Sequence, residues 1–427
     1  MFLFSPVKKC ILLSAMLLIA RPLYAAQELT WEDCLRQAAI HHPDLLSARE
    51  SIRQSRDVKT ITASGLWPQA SANLTLARSK AETSTGLSSK TNSYAYGVSG
   101  SQLIFDGFKT INNVKASAQN VEASRWNFQY VSSQVRLRLR TAFVDLLKAQ
   151  DLIKLTQDIY DIRKKSVDLI SKYYNSGMEN TGSLLTARAN LAQAQFEVDQ
   201  ALRGLQVAQR DLLKEMGAGD LEDVRAKGEL NSRLEYHEKP AFEVILDHNP
   251  QLLQIAAQTN AASFDVRSSQ GNFWPALSLV GGADRTDSHW PPKGAGTNVG
   301  VELTWPLLEG GSRLAQMDQA KSYYRGLQDQ QQSLRDSLYL SLEQAWANLQ
   351  DAIGQVGVQE KFLEANEERS RIATQQYSTG LLTFNEWTII EDNLVSSKKT
   401  FLNTQANALL AEANWVAAQG RNLEYAD

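Results

Sequence analysis

Cysteine is nearly missing from this chain: 427 residues hold two, Cys10 and Cys34. Cys10 sits in an N-terminal leader described below, so the mature chain keeps a single thiol and no intrachain disulfide can form; stability must come from packing. Long blocks of like charge are missing too. The net charge is −3, with 44 basic and 47 acidic residues interspersed, and that excludes a nucleic-acid footprint. Catalytic and metal-ligand spacings are likewise missing. His41, His42 and His248 crowd beside prolines in a structural manner, His237 and His289 are isolated, and no His/Cys/carboxylate cluster has the spacing of a metal site. The chain reads as a non-enzyme without cofactor or metal.

Helix breakers are the most informative absence. No proline occurs between Pro68 and Pro240 or after Pro306, and the 69 residues between Gly107 and Gly177 contain neither proline nor glycine. One helix of that length would reach roughly 100 Å, far beyond the usual globular helix, and it needs a partner along its length. Val135, Leu139, Ala142, Leu146, Ala149 and Ile153 alternate spacings of four and three, as do Leu338, Leu342, Ala345, Leu349, Ala352 and Val356. A seven-residue repeat of this kind predicts a left-handed coiled seam. Gly326, Gly354 and Gly357 lie inside the second long run and, at about 1 kcal/mol each relative to Ala, predict a bend or break there.

What is present is a duplication. His41-His42-Pro43-Asp44-Leu45-Leu46 returns as His248-Asn249-Pro250-Gln251-Leu252-Leu253, and Trp67-Pro68 returns as Trp274-Pro275, both 207 residues on. Beyond the first hairpin the offset is 203: Asp106-Gly107 maps to Glu309-Gly310, Tyr174 and Gly177 to Tyr377 and Gly380, and Gly217 to Gly420. A period this long is too large for a solenoid and marks two structural halves, as in many transport proteins. Lys8-Lys9, the apolar run Ile11 to Ala20 and the small residues at Ala25-Ala26 read as a signal peptide over residues 1–25. The first repeat is then 26–216, with a helix, a β-hairpin at about 67–105 and a long helical hairpin at about 108–216. A linker follows at 217–239. The second repeat is 240–420, with a β-hairpin at about 274–306 and a helical hairpin at about 311–420, and 421–427 is a tail.

The hairpins announce themselves by a switch of period from 3.5 to 2. Ala70, Ala72, Leu74 and Leu76 alternate with polar neighbours, as do Val299, Val301, Leu303 and Trp305, with polar tips near Ser79 to Ser93 and Arg285 to Thr297. Asp284, Arg285 and Asp287 fall in a predicted external loop as ordinary solvated charge. Trp67 and Trp274 open a strand and Trp305 closes one, so all three belong at one end of the sheet, as a membrane-interface belt requires. Half-buried hairpins of a soluble protein give the same alternation. Four strands cannot close a barrel, and open edges are not tolerated in lipid, so a membrane reading needs other copies: two would supply eight strands and three would supply twelve.

The leader, Leu29-Thr30-Trp31-Glu32-Asp33 followed by His42-Pro43-Asp44-Leu45, the Trp-Pro strand entries, Phe105-Asp106-Gly107 and both Tyr-x-x-Gly turns resemble the TolC-like outer-membrane efflux proteins over nearly the whole mature chain. The resemblance implies a mainly helical fold with a membrane β-barrel portion, assembling as a homotrimer: a twelve-stranded barrel in the outer membrane of a Gram-negative cell, continued by a periplasmic α-helical barrel. It implies a duct for efflux or type I secretion, with outer-membrane lipid around it and a periplasmic adaptor and an inner-membrane pump or secretion ATPase as partners. The adaptor-docking tip would map onto Tyr174, Gly177, Met178, Tyr377, Gly380 and Leu381, and the pore entrance onto Ser183 and Glu386. Where relatives carry a further carboxylate this chain has Ile389. The rival readings are a periplasmic coiled-coil scaffold or adaptor, which would flank a single hairpin with other modules, and a surface adhesin, which would carry one terminal anchor.

Overall fold

The computed structural model describes residues 27–82, 88–219, 223–230 and 238–424; the leader, its cleavage near Ala25 and Cys10 lie outside the described residues. The first half contains β1 (Gln27–Leu29), α1 (Trp31–His41), α2 (Pro43–Ser64), β2 (Gln69–Glu82), β3 (Ser88–Phe105), α3 (Lys109–Asn175) and α4 (Thr181–Met216). After β4 (Val224–Ala226) the second half follows with α5 (Phe242–Asp247), α6 (Pro250–Gly271), β5 (Ala276–Asp287), β6 (Gly294–Thr304), α7 (Ser312–Ser378) and α8 (Phe384–Ala418). The duplication is metric: α3 and α7 are 67 residues each, and α2 and α6 are 22 each.

The repeated His/Asn-Pro motif is a helix start. The His42 imidazole accepts the Asp44 N–H at the head of α2 (3.1 Å), and the Asn249 side chain accepts the Gln251 N–H at the head of α6 (3.0 Å). In both helices proline follows at the first turn, where no N–H partner is needed. Gly217 and Gly420 end α4 and α8 with positive φ, and a Cβ there would lie 2.5 Å from the His41 carbonyl or the Pro250 ring. Only glycine lets each returning helix abut the helix start of its own repeat.

Helix α3 is the hub, with α2, α4, α6 and α8 packed along it. Toward the helical turns the wall runs α4, α3, α8, α7, and toward the sheet it runs α2, α3, α6, α7. Along the expected seam Val135, Leu139, Ala142 and Leu146 are fully enclosed, whereas on α7 only Leu342 and Leu349 are. The difference is one of neighbours: α7 borders the open edge of the wall. α7 runs unbroken through Gly326, Gly354 and Gly357, so the expected break does not occur; the flanking Gln, Leu and Ala residues are good helix formers.

Three boundaries shift. The strands extend into the stretches read as tips, where the antiparallel ladder continues through polar and small residues; Asp284, Arg285 and Asp287 accordingly lie in β5 rather than a loop. The stretch read as linker carries β4, which pairs in parallel with β1 and buries Val224 and Ala226 in the main core. The stretch read as tail docks through Leu423, whose N–H reaches the Ser132 hydroxyl (3.2 Å), and through the Asn422 carbonyl, which accepts from Arg136 (3.1 Å).

An ionic cluster centred on the buried Glu215 and His42 ties α4 to the α1–α2 corner. The Glu215 carboxylate takes hydrogen bonds from Lys214 Nζ (2.7 Å) and Arg138 Nε (3.0 Å) and lies 3.4 Å from His42 Nε2, while Arg138 also reaches Asp44. Burial alone would raise the Glu215 pKa, but the hydrogen bonds from Lys214 and Arg138, with the Arg138 charge, hold it below its ordinary 4.5. A carboxylate depressed on folding contributes stability that is complete above its unfolded value and is lost as pH falls through the folded one. The thermal midpoint of the protein is therefore expected to fall as the pH drops below the ordinary 4.5 of the group, and Glu215→Gln to flatten that part of the curve while lowering the midpoint at neutral pH; parallel curves would show the cluster to be uncoupled from stability.

Candidate functional site

The first candidate is the four-stranded sheet, in the order β2, β3, β5, β6 with every pairing antiparallel. Its register sorts side chains cleanly. Leu74 faces Tyr96 and Ala72 faces Val98 across β2 and β3; Leu277 faces Leu303 and Leu279 faces Val301 across β5 and β6. The opposite face holds Gln69 beside Ser101, Ser71 beside Ser99, and Asn298 beside Gly282. The apolar face is open, with Val299 85% exposed, and Leu74, Val98, Val301 and Leu303 also exposed. A contiguous apolar surface of this kind marks contact with another apolar medium. The outer edges of β2 and β6 have no strand partner among the described residues. Among those residues, no helix is long and apolar enough to cross a membrane.

Aromatic side chains close both ends of this face. Trp67, Trp274 and Trp305 are all exposed at the end where strands meet helices, and the Trp305 indole N–H donates to the Phe273 carbonyl (3.3 Å). At the other end Trp290 meets Tyr94 and Tyr96 edge-on, at 6.2 and 6.3 Å. Trp290 is a functional candidate that the sequence reading passed over, since it sits in a stretch read only as a polar tip; a tryptophan beside two prolines was the available signal. The strand entry to α3 is set by the Asp106 carboxylate, which accepts the Thr110 N–H (2.9 Å) and hydroxyl.

The second candidate is the end formed by the α3–α4 and α7–α8 turns. Gly177 and Gly380 both have positive φ, and a Cβ on either would meet nothing within 4 Å, so backbone conformation alone requires glycine there. Met178 is 67% and Leu381 79% exposed, with Tyr174 partly so. Tyr377 is buried at 4%: its ring stacks on Trp387 at 4.7 Å and its hydroxyl donates to Glu179 (2.9 Å). Burial, and after it the bond to Glu179, raises the Tyr377 phenol above its ordinary 10.0. The Tyr173 hydroxyl donates to the Ser378 carbonyl (3.1 Å), so the two turns are latched together within one chain.

The two entrance candidates separate. Ser183 is buried at the head of α4, where its N–H takes the Asn180 cap (3.0 Å), so its side chain does not line an open surface. Glu386 is exposed and closes a capping box: its carboxylate accepts from Thr383 N–H (3.1 Å) and hydroxyl (2.7 Å), and its own N–H donates to Thr383 Oγ1 (3.3 Å). Those hydrogen bonds hold its pKa below the ordinary 4.5. Residues legible only in the structure are Trp387, Glu179 and Tyr173, whose repeat counterparts Leu184, Leu382 and Gln376 carry no equivalent chemistry.

Among the described residues, no group of three or more His, Cys, Asp or Glu side chains is placed to hold a metal. Comparison with known proteins agrees with the geometry. The model of the family "Outer membrane efflux protein" matches residues 34–218 and again 242–421, once for each repeat. The outer membrane efflux protein BepC of Brucella suis is 22% identical, over 97% of this chain and 90% of that one. The outer membrane protein TolC of Escherichia coli is 22% identical over 75% of this chain and 68% of its own length. The crystal structure of CusC superposes with a TM-score of 0.81 at 17% identity, covering 91% of each chain. With two matches that together span most of its length, the chain belongs to the outer membrane efflux protein family.

Proposed function

We propose that this protein is the outer-membrane exit duct of a tripartite efflux or type I secretion system, passing outward what an inner-membrane pump or secretion ATPase delivers through a periplasmic adaptor. The observation that carries the reading is the sheet with one apolar and one polar face and two unpaired edges. A backbone edge in hydrocarbon costs several kcal/mol per unmatched group, so β6 of one copy pairs with β2 of the next. Three copies supply twelve strands, with the polar face inward and Trp67, Trp274 and Trp305 as the belt at the inner interface. The helical wall needs the same closure. Exposed Tyr323, Leu340 and Phe362 on α7, and Leu185, Phe196 and Val207 on α4, are the faces that adjoining copies cover. The relative BepC carries efflux in its name. A periplasmic scaffold would leave the apolar face of the sheet in water.

At the far end the α3–α4 and α7–α8 turns form the docking tip. Gly177, Met178, Gly380 and Leu381 offer the contact surface with Tyr174 beside them, and Tyr377 positions the turn from beneath. Glu386, repeated by symmetry, places three carboxylates at the entrance.

The signal-cleaved protein in planar bilayers is expected to give discrete conductance steps, and its mass in detergent to be that of three chains. A monomer inert in bilayers would remove the duct reading. Met178→Glu with Leu381→Glu is expected to abolish export in cells while leaving the trimer and its conductance intact; export at wild-type levels would move docking elsewhere. Because glutamine also closes a capping box, Glu386→Gln should keep the start of α8 folded while reducing preference for cations, and an unchanged reversal potential would confine Glu386 to helix capping.

A further inference from the structure

The register of the sheet segregates charge as well as polarity. Every lysine and arginine in the four strands, namely Arg78, Lys80, Lys90 and Arg285, falls on the parity of the apolar face, and all are exposed. They are also confined to the end away from the helices. Along β2 the side chains of this face read Ala70, Ala72, Leu74, Leu76, Arg78, Lys80, so apolar contact gives way to charge at one level. Arg285 stands opposite Tyr96 and next to the ring cluster of Trp290, Tyr94 and Tyr96. Each step of two residues advances about 6.6 Å along a strand. From the level of Leu277 and Leu303 to that of Leu76 and Tyr94 is therefore about 33 Å along the strands, which a strand tilt of about 40° brings to about 25 Å of height, that of the apolar band of a barrel. Arg78, Lys80 and Lys90 begin where hydrocarbon ends, and Arg285, one step below Leu76 and Tyr94, has a side chain long enough to reach toward the same depth.

Two details point to an anion at this level. Lys80 and Lys90 are directly opposite in the β2–β3 ladder, an arrangement of like charges that costs stability unless something negative lies between them. Lys80 has Glu82 as a partner, but among the described residues Arg78, Lys90 and Arg285 make no ion pair. The other acid of this parity in the strands, Asp287, is turned into its own loop, accepting the N–H groups of His289 (3.2 Å) and Lys293 (3.3 Å).

We infer that Arg78, Lys80, Lys90 and Arg285 form a binding surface for phosphorylated headgroups of the outer leaflet. Arg78, Lys80 and Lys90 sit at headgroup depth, Arg285 reaches up to it from the level of Leu74, and together they engage phosphate while the acyl chains lie on Leu74, Leu76 and Val98. This rests on the outward orientation of the apolar face in the duct reading. Three copies would repeat the patch around the barrel, next to the seam where β2 meets the next copy, so the bound lipid would also cover that seam.

The test uses the signal-cleaved trimer in detergent with diphosphorylated lipid A as the probe, and the same lipid after removal of its phosphates. Bound lipid is counted by native mass spectrometry, and the temperature at which the trimer dissociates is read on gels. Phosphorylated lipid should bind and raise that temperature. In the variant Arg78→Gln/Lys80→Gln/Lys90→Gln/Arg285→Gln, affinity should drop at least about tenfold, since each basic group near a charged lipid surface contributes roughly fivefold. Lys80→Gln/Lys90→Gln is the folding control: it relieves a like-charge pair and should assemble at least as well as wild type while still binding more weakly. Equal affinity of wild type and the fourfold variant, equal binding of the dephosphorylated lipid, or the same protection by inorganic phosphate alone would each overturn the inference. A protein that forms neither trimer nor conductance steps would overturn the duct reading, and the patch with it.

Discussion

A backbone amide has no water to turn to inside hydrocarbon, and most of this architecture follows from that constraint. Among the described residues the outer edges of β2 and β6 have no strand partner, so in the proposed duct the sheet would be completed between chains. With strands paired around a ring in that duct, the helices attached to them would form a ring as well. The close approaches at Gly217 and Gly420 hold each returning helix at the root of its repeat. Stability of the chain and closure of the assembly are thus the same problem at two scales.

The two halves share a skeleton but have divided the chemistry. Where the first half sets the ionic cluster of His42, Asp44, Arg138 and Glu215, the second has Asn249, Gln251, Ser341 and Ala418 at the matching positions, and these line a cavity of about 540 Å³ without a charged group. The first junction is clamped by ion pairs and by the β1–β4 pair; the second stays open and amide-lined. The turns diverge likewise. Tyr377 is stacked and hydrogen-bonded where its counterpart Tyr174 is left partly exposed. In the proposed trimeric ring, which would alternate the two halves, every other contact would therefore differ.

The periodic parts of the fold were legible in the amino-acid sequence because periodicity is a direct image of burial. The seam at Val135, Leu139, Ala142 and Leu146 and the alternation at Val299, Val301 and Leu303 both fall where reading them predicts. What could not be read was long-range and aperiodic. Val224 and Ala226 pair with a strand almost two hundred residues earlier, and a three-residue strand leaves no period to detect. Leu423 docks by filling a gap that only the folded wall creates. The tip was located by its glycines, yet its latch could not be: Tyr173, rather than Tyr174, reaches Ser378, and Glu179, lacking an acidic counterpart, is the acceptor for Tyr377. Ser183 looked like an entrance residue by position along the chain, and the turn of the helix buries it instead.

The parity that puts every strand base on the apolar face leaves the polar face with Asp284 and Glu302 as its ionised groups among the described residues. Glycines flank the first of these: a Cβ at Gly97 or Gly296 would lie 2.9 Å from Asp284. The rows around it are Ser, Gly, Ala, Asn and Thr. In the proposed duct a barrel built from that face would be sparsely furnished, with negative fixed charge and no compensating cation among the described strand residues. Solutes leaving through it would meet a bore that grips nothing, and dianions would cross it against an unfavourable field. In such a duct, discrimination by shape would fall to the stages before a cargo reaches the membrane.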